Sequence, residues 1–274
     1  ARTRAMGVTV AGALQLLCLI LACRANGVKL RIRPPRLSPD VKKLLSLIGP
    51  AAAGAGATQI NLIISTALAA SLLAEGSVSY IYYADRLNQL PLGLIGIGLG
   101  TVLLPTIARQ LGAGNEDAAM HTQNRGAELA LFLTLPATAA LVICGGPIVA
   151  ALFQHGAFTA ENTVKTAQAL AAFSVGLPAY ILVKVLTPGF YARSDTRTPV
   201  RYATISIAVN LALNLALIVP LQHMGPPLAT AVASWVNVGL LYRALAQRGH
   251  FVADAQLKRR VWRLVGASVV MGAV

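Results

Sequence analysis

Acidic residues are scarce in this chain: nine Asp and Glu stand against 23 Lys and Arg, giving a net charge of +14. Chemistry that needs clustered carboxylates, whether acid–base catalysis or metal binding, has little to draw on, so an enzyme is not expected. The three cysteines, Cys18, Cys23 and Cys144, lie in apolar runs without CxxC spacing. They read as small buried hydrophobes, with no disulfide framework and no zinc site. The four histidines, His121, His155, His223 and His250, are scattered over loops and helix ends without ligand spacing. Aromatic residues make up only 5% and interleave with no contiguous basic face, which argues against a nucleic-acid partner. Nothing in the pattern calls for a cofactor or a metal. The alternation expected of a membrane barrel is missing as well.

Apolar residues fill the space: 56% are hydrophobic and 12% charged, with a mean hydropathy of +0.66. Uncharged runs cover 5–23, 44–74, 87–108, 129–160, 166–183 and 202–242, and Leu264 opens another. A spanning helix needs about 20 mostly apolar residues. The run 202–242 is too long for one span and is divided by Pro220 and Pro226-Pro227. The chain therefore reads as an all-α, polytopic transmembrane helix bundle of about eight segments, the last begun but not finished at Val274.

Charge placement supports the same spans. Alternate loops collect the basic residues: Arg24, Lys29, Arg31, Arg33, Arg36, Lys42 and Lys43; then Arg109 and Arg125; then Arg193, Arg197 and Arg201; then Arg243 to Arg263. The intervening loops supply only Lys165, with Arg2 and Arg4 a mild exception. The positive-inside rule puts the basic loops in the cytoplasm.

One segment breaks the apolar pattern. Gly76 to Gly100, GSVSYIYYADRLNQLPLGLIGIGLG, carries Asp85 and Arg86 inside a glycine-rich helix. A guanidinium near the bilayer centre costs roughly 2.5–3.5 kcal/mol even on lenient scales, and persists where it faces a watered, protein-lined cavity. Counting from Gly76, Arg86 lies roughly 15 Å below the outer surface, near the midplane. Ser79, Tyr82 or Tyr83, Gln89 or Leu90, and Gly93 share its face at helical spacing, whereas Asp85 points about 100° away. Hydroxyl, phenol, guanidinium and amide together suit an oxyanion that arginine grips with two hydrogen bonds. The alternative is an arginine that snorkels or pairs internally with Asp85.

Lys184, in YILVKVLTPGFYARSD, is a second deep cation that either lines a cavity or snorkels to the cytoplasmic side. Asn210 and Asn214, spaced i,i+4, either tie helices together or offer oxygens to a small cation such as sodium. Glycines 93, 96, 98 and 100 fit no phosphate-loop spacing; Gly96 and Gly100 suit close helix packing. Pro50, Pro91, Pro105, Pro136, Pro178 and Pro188 fall inside spans, where each removes an intrahelical hydrogen bond.

The run SLIGPAAAGAGATQINLIISTALAASLLAEGSVSYIYYADRLNQLPLGLIGIGLGTVLLPTIARQ resembles the bacterial lipid II flippase family of MurJ/MviN type. FSVGLPAYILVKVLTPGFYARSDTRTPVRY and NLALNLALIVPL resemble later parts of it, in the same order. That family belongs to a superfamily of multidrug, oligosaccharidyl-lipid and polysaccharide exporters. The resemblance implies fourteen helices in two lobes, of which this chain would hold the sixth to twelfth and part of the thirteenth. Residues 1–24 would be the last helix of the N-terminal lobe and 25–43 a basic cytoplasmic linker. Residues 44–248 would form a six-helix C-terminal lobe, and 249–274 a cytoplasmic loop with the start of a further helix. The implied activity is movement of the undecaprenyl-diphosphate-linked peptidoglycan precursor, lipid II, across the bacterial inner membrane by alternating access. Implied partners are lipid II, membrane lipids and the cell-wall synthesis machinery; export of drugs or another lipid-linked oligosaccharide is the alternative. Arg86 and Ser79 match positions that face the central cavity and bind the head group; Tyr82, Tyr83, Asp85, Gln89 and Lys184 complete the expected set. Some members carry acids near Ser65-Thr66 and near Asn214 that make a sodium site. Here those acids are missing, so Ser65, Thr66, Asn210 and Asn214 are only a candidate cation site, and the membrane potential is the expected driving force.

Overall fold

The computed structural model describes residues 2–25 and 61–273, with Gly27, Gly56 and Gln59 between them, and side chains from Val10 onward. The basic stretch from Lys29 to Lys43, Pro50 and the first half of the expected second span lie outside the described residues. The chain divides into two compact units, Ala1–Ser46 and Leu47–Val274. In the first, α1 (Arg2–Ala25) is a single helix whose apolar residues, such as Leu14, Leu16 and Leu19, stay more than half exposed. Apolar on all sides, it suits a lipid surrounding.

The second unit contains α2 (Asn61–Leu72), α3 (Ser77–Gly112), α4 (Glu116–Ile143), α5 (Gly145–Phe153), α6 (Ala160–Ser174) and α7 (Leu177–Tyr191). It continues with α8 (Arg197–Leu221), a 3-10 turn (Gln222–Met224), α9 (Gly225–Gln247) and α10 (Ala255–Ala273). With α6–α7 as one broken span and α5 as a short appendage of α4, the described residues form the eight expected segments of a multi-pass membrane bundle.

Turn chemistry sets the boundaries. The stretch Arg197–Gln247 holds 51 residues, about 77 Å if straight, far more than a hydrocarbon core of about 30 Å. It folds back at Gln222, which takes φ 48°, and α9 restarts with prolines in its first turn, where a missing N–H costs nothing. A side chain at Gly225 would sit 2.6 Å from the Leu217 carbonyl oxygen, so only glycine permits this reversal. Pro178 opens α7 at the break between α6 and α7, inside the span that the two helices share. By contrast, Pro91 and Pro105 in α3, Pro136 in α4, Pro188 in α7 and Pro220 in α8 are interior.

The core runs along α7. Leu177, Ile181, Val185, Leu186 and Phe190 are buried between Leu103 and Ile107 of α3, Ala127 and Ala130 of α4, and Leu241 and Leu245 of α9. A smaller cluster joins Ala84 and Leu87 of α3 to Val149, Leu170 and Phe173 near the opposite end. Beside Pro188, the buried Gln123 of α4 donates to the carbonyls of Val185 and Leu186, at 3.1 and 3.2 Å. A loosened helix in lipid needs such a donor, because water is absent.

The helix around Arg86 starts at Ser77, next to the Gly76 from which its depth was counted and ten residues before the uncharged run at Leu87, because a charge ends a run without ending a helix. One expectation is corrected here. The cysteines are not buried: Cys18 and Cys144 are exposed and Cys23 half-exposed, since an apolar solvent removes the need to cover them.

Candidate functional site

Helix α3 buries the side that carries Ser77, Ala84, Leu87 and Asn88. Arg86 stands two residues from Ala84, hence about 200° around the helix, on the opposite, exposed side. Its guanidinium lies over the Tyr82 ring, 4.8 Å from the centroid, and donates from Nη1 to Gln89 Oε1 at 3.2 Å. Gln89 in turn donates from Nε2 to Asp85 Oδ2. Among the described residues Arg86 makes no ion pair, so an amide separates it from the neighbouring carboxylate. Its charge stays available.

Arg86 lies nine residues, roughly 14 Å, from the start of α3 at Ser77, and the midpoint of this 36-residue helix falls near Leu94 and Ile95.

The predicted set divides into three places. Arg86, Tyr82, Gln89 and Asp85 form the first. Asp85 and Tyr82 also edge a cleft of about 240 Å³ against α2 and α9, with Ser65, Thr66 and Thr230 supplying hydroxyls. Ser79 and Tyr83 form the second, on a groove of about 430 Å³ with His155 and Asn162. There Tyr83 packs on Phe153 and Phe158, at ring distances of 4.9 and 5.5 Å. So Tyr82, and not Tyr83, is the tyrosine that accompanies Arg86.

Lys184 makes the third place, a shallow groove of about 400 Å³ between α3 and α7. A Cβ at Gly96 would come within 2.8 Å of Lys184 Cδ and 3.6 Å of its Nζ. The glycine thus makes room for lysine, while Gly100 has nothing within 4 Å. The amino group stays at the level of Gly96, close to the middle of α3, which supports lining a groove over snorkelling. Ten residues separate Gly96 from Arg86, so the two cations are offset by roughly 15 Å along α3.

Asn210 and Asn214 are buried and join a network of neutral groups. Asn61 donates to Asn210 Oδ1 at 3.0 Å, Asn214 donates to Ser65 Oγ and to Asn210 Oδ1 at 3.0 Å, and Asn210 donates to Thr230 Oγ1 at 3.2 Å. These bonds tie α2, α8 and α9 together, as the helix-joining reading expects. Thr66 stands apart, exposed on the Asp85 cleft. Asn61 and Thr230 were missed by sequence reasoning. Asn61 and Ser65 repeat the i,i+4 spacing that singled out Asn210 and Asn214, and that signal would have found Asn61. Among the described residues no group of three or more His, Cys, Asp and Glu is placed to hold a metal ion.

Four other arginines behave differently. Arg125 pairs with Glu128 and Asp254, Arg260 with Glu128, Arg193 with Glu116, and Arg248 with Asp195 at 2.7 Å, all at the basic-loop end.

Residues 2–274 match the family described as "Lipid II flippase MurJ". The chain is 49% identical over 267 residues to a probable lipid II flippase MurJ of Rhizobium meliloti, covering 97% of this chain and 50% of that protein. It is 38% identical to a probable lipid II flippase MurJ of Rickettsia prowazekii, over 92% of this chain and 50% of that protein. The chain thus spans about half the length of the curated relatives it matches. Among solved structures, "Lipid II flippase MurJ, inward closed conformation" superposes with a TM-score of 0.72 at 27% identity, over 87% of this chain and 49% of that one. An outward-facing multidrug resistance MATE family transporter superposes at 0.65, over 81% of this chain and 51% of that one; at 15% identity it shares the fold alone.

Proposed function

The chain belongs to the lipid II flippase MurJ family, and from that premise we propose that its second unit carries the C-terminal lobe of an alternating-access flippase for lipid II. Residues 44–248 form that lobe, residues 1–24 end the preceding one, and 25–43 link the two on the cytoplasmic side. The membrane is the bacterial inner membrane, and the lobe works with the cell-wall synthesis machinery that consumes the flipped precursor. No bond is made or broken in this task, so the demand on the protein is electrostatic. A diphosphate must cross a region of low dielectric, and a fixed cation offsets part of that cost.

The observation that carries this reading is the open Arg86. It faces away from the core of its own lobe, is held by Tyr82 and Gln89, and is not neutralised by Asp85. In that state its remaining donors can take two phosphate oxygens side by side. Ser79 and Tyr83 lie outward of it and Lys184 inward, so head-group contacts follow one another along α3. Lys184 is the second cation of the path. The amide network supports helix joining more than sodium binding, which leaves the membrane potential as the driving force.

The test is Arg86→Ala in the intact transporter. Lipid II flipping in reconstituted vesicles falls to background while insertion and thermal stability stay normal. Flipping at the wild-type rate overturns the proposal. The shared fold of the MATE transporter does not name a substrate by itself.

A further inference from the structure

A groove of about 470 Å³ runs between α4 and α10 at the basic-loop end of the second unit. Its polar end holds Arg125, Glu128, Arg260 and Arg263, and its apolar floor is Leu129, Phe132 and Leu264. The acids nearby are already engaged. Glu128 meets Arg125 with one oxygen and Arg260 with the other, and Asp254 meets Arg125. Arg263 has no acidic partner among the described residues, Arg260 remains 53% exposed, and Nε of Arg125 is buried without an acceptor. The groove is therefore left with positive charge and unfilled donors.

The order of residues along its walls narrows the ligand. Both helices run inward from the basic-loop end, and on both the arginines come first: Arg125 before Leu129 and Phe132, Arg260 and Arg263 before Leu264. The groove is thus cationic at the membrane surface and apolar below it. Trp262, 78% exposed and next to Arg263, marks the level, because indole rings settle at the headgroup boundary. Farther along α10, Val269, Val270 and Met271 are exposed as a lipid-facing surface would be.

We propose that this groove binds an anionic phospholipid of the cytoplasmic leaflet, with Arg260 and Arg263 on its phosphodiester and one acyl chain along Leu129, Phe132 and Leu264. A soluble anion has no use for the apolar floor, and a zwitterionic lipid brings its own cation toward the arginines. Basic pockets between membrane helices on the cytoplasmic side take acidic headgroups for this reason. The site lies on α4 and α10, away from the exposed face of α3, and does not depend on what the transporter carries.

The test uses the intact transporter, stripped of lipid in detergent, titrated with phosphatidylglycerol or phosphatidylcholine and read by native mass spectrometry. The wild type retains phosphatidylglycerol over phosphatidylcholine, and Arg263→Gln lowers that preference about fivefold, the worth of one interfacial cation. R260Q/R263Q brings it near parity. K258Q/R259Q removes the same charge from exposed residues outside the groove and leaves the preference in place. Because Arg263 has no partner to orphan, its variant folds normally and decides the matter alone. The proposal is overturned by a wild type without preference, by an unchanged Arg263→Gln, or by equal losses in the two double variants.

Discussion

Arg86 and Arg260 sit on helices of the same unit, yet one lies within a turn of a carboxylate and leaves it to Gln89, while the other reaches across to Glu128. The difference is one of supply. With nine acids in the chain, four of them (Glu116, Glu128, Asp195 and Asp254) are matched to arginines at the basic-loop end. There the pairs join α4 to α10 and to the loops after α7 and before α10, and the end of α9 to the loop before α8, where solvated charges cost little to hold together. On α3 the only neighbouring acid is engaged by an amide, so the guanidinium keeps its charge for a ligand. Fixed arginines hold the lobe's end; Arg86, with no ion pair among the described residues, is free to act.

Giving Arg86 the carboxylate it lacks should erase the contrast. Gln89→Glu places an acid three residues on, at the position that now accepts its hydrogen bond. A hydrogen bond to a charged group contributes about 1.5–3 kcal/mol, so phosphate must displace it and flipping should fall about tenfold. Gln89→Met removes the amide without adding charge and should cost no more than a few-fold. Equal rates for the two variants, measured in the same vesicle assay, would show that free charge is not what α3 provides.

The reverse change releases fixed arginines. Glu128→Gln strands both Arg125 and Arg260, and Glu128 is the most buried member of the group at 12% exposure. The arginines keep access to water, so the loss should be about 1–2 kcal/mol, well below that of a fully buried pair. A lowered thermal midpoint with unchanged flipping per folded molecule is the expected pattern. An unchanged midpoint would mean these pairs do not fasten α10 to α4.

Much of this was readable before any coordinates, and the limits have physical causes. Spans, turns at proline pairs and the exceptional Arg86 follow from apolar length and the cost of burying charge, both local properties. A disturbance at Pro178 follows from the proline itself, but the exact place of the break, at Val175 and Gly176, rests on a close approach: a Cβ at Gly176 would lie 2.8 Å from Ala231 Cα, fifty-five residues away. Helical spacing put Tyr82 and Tyr83 equally near Arg86, and only packing against Phe153 and Phe158 draws Tyr83 aside. Lys184 looked ambiguous because its place depends on Gly96 of another helix. Pairing of arginines with acids is equally invisible, since Arg125 and Asp254 are 129 residues apart.

The smallest expected effect concerns Asp195, in the loop before α8. Partial burial works to raise its carboxyl, but hydrogen bonds from Arg248 and Thr198 and the Arg248 charge outweigh this and hold it at about 2, below its ordinary 3.8. A carboxyl depressed by folding stabilises the protein in full above its ordinary value and loses that contribution as pH falls toward the folded one. The window is therefore roughly pH 4 down to pH 2. Its partner Arg248 is 43% exposed, so solvent screening reduces the contribution to about 1 kcal/mol. Asp195→Asn should lower stability at neutral pH by that amount and flatten the acid limb of the unfolding curve. Between pH 6 and 8 the difference between variant and wild type should stay constant. A difference that grows with rising pH in that range would assign the effect to another group, with His250 beside Arg193 and Glu116 the first to examine.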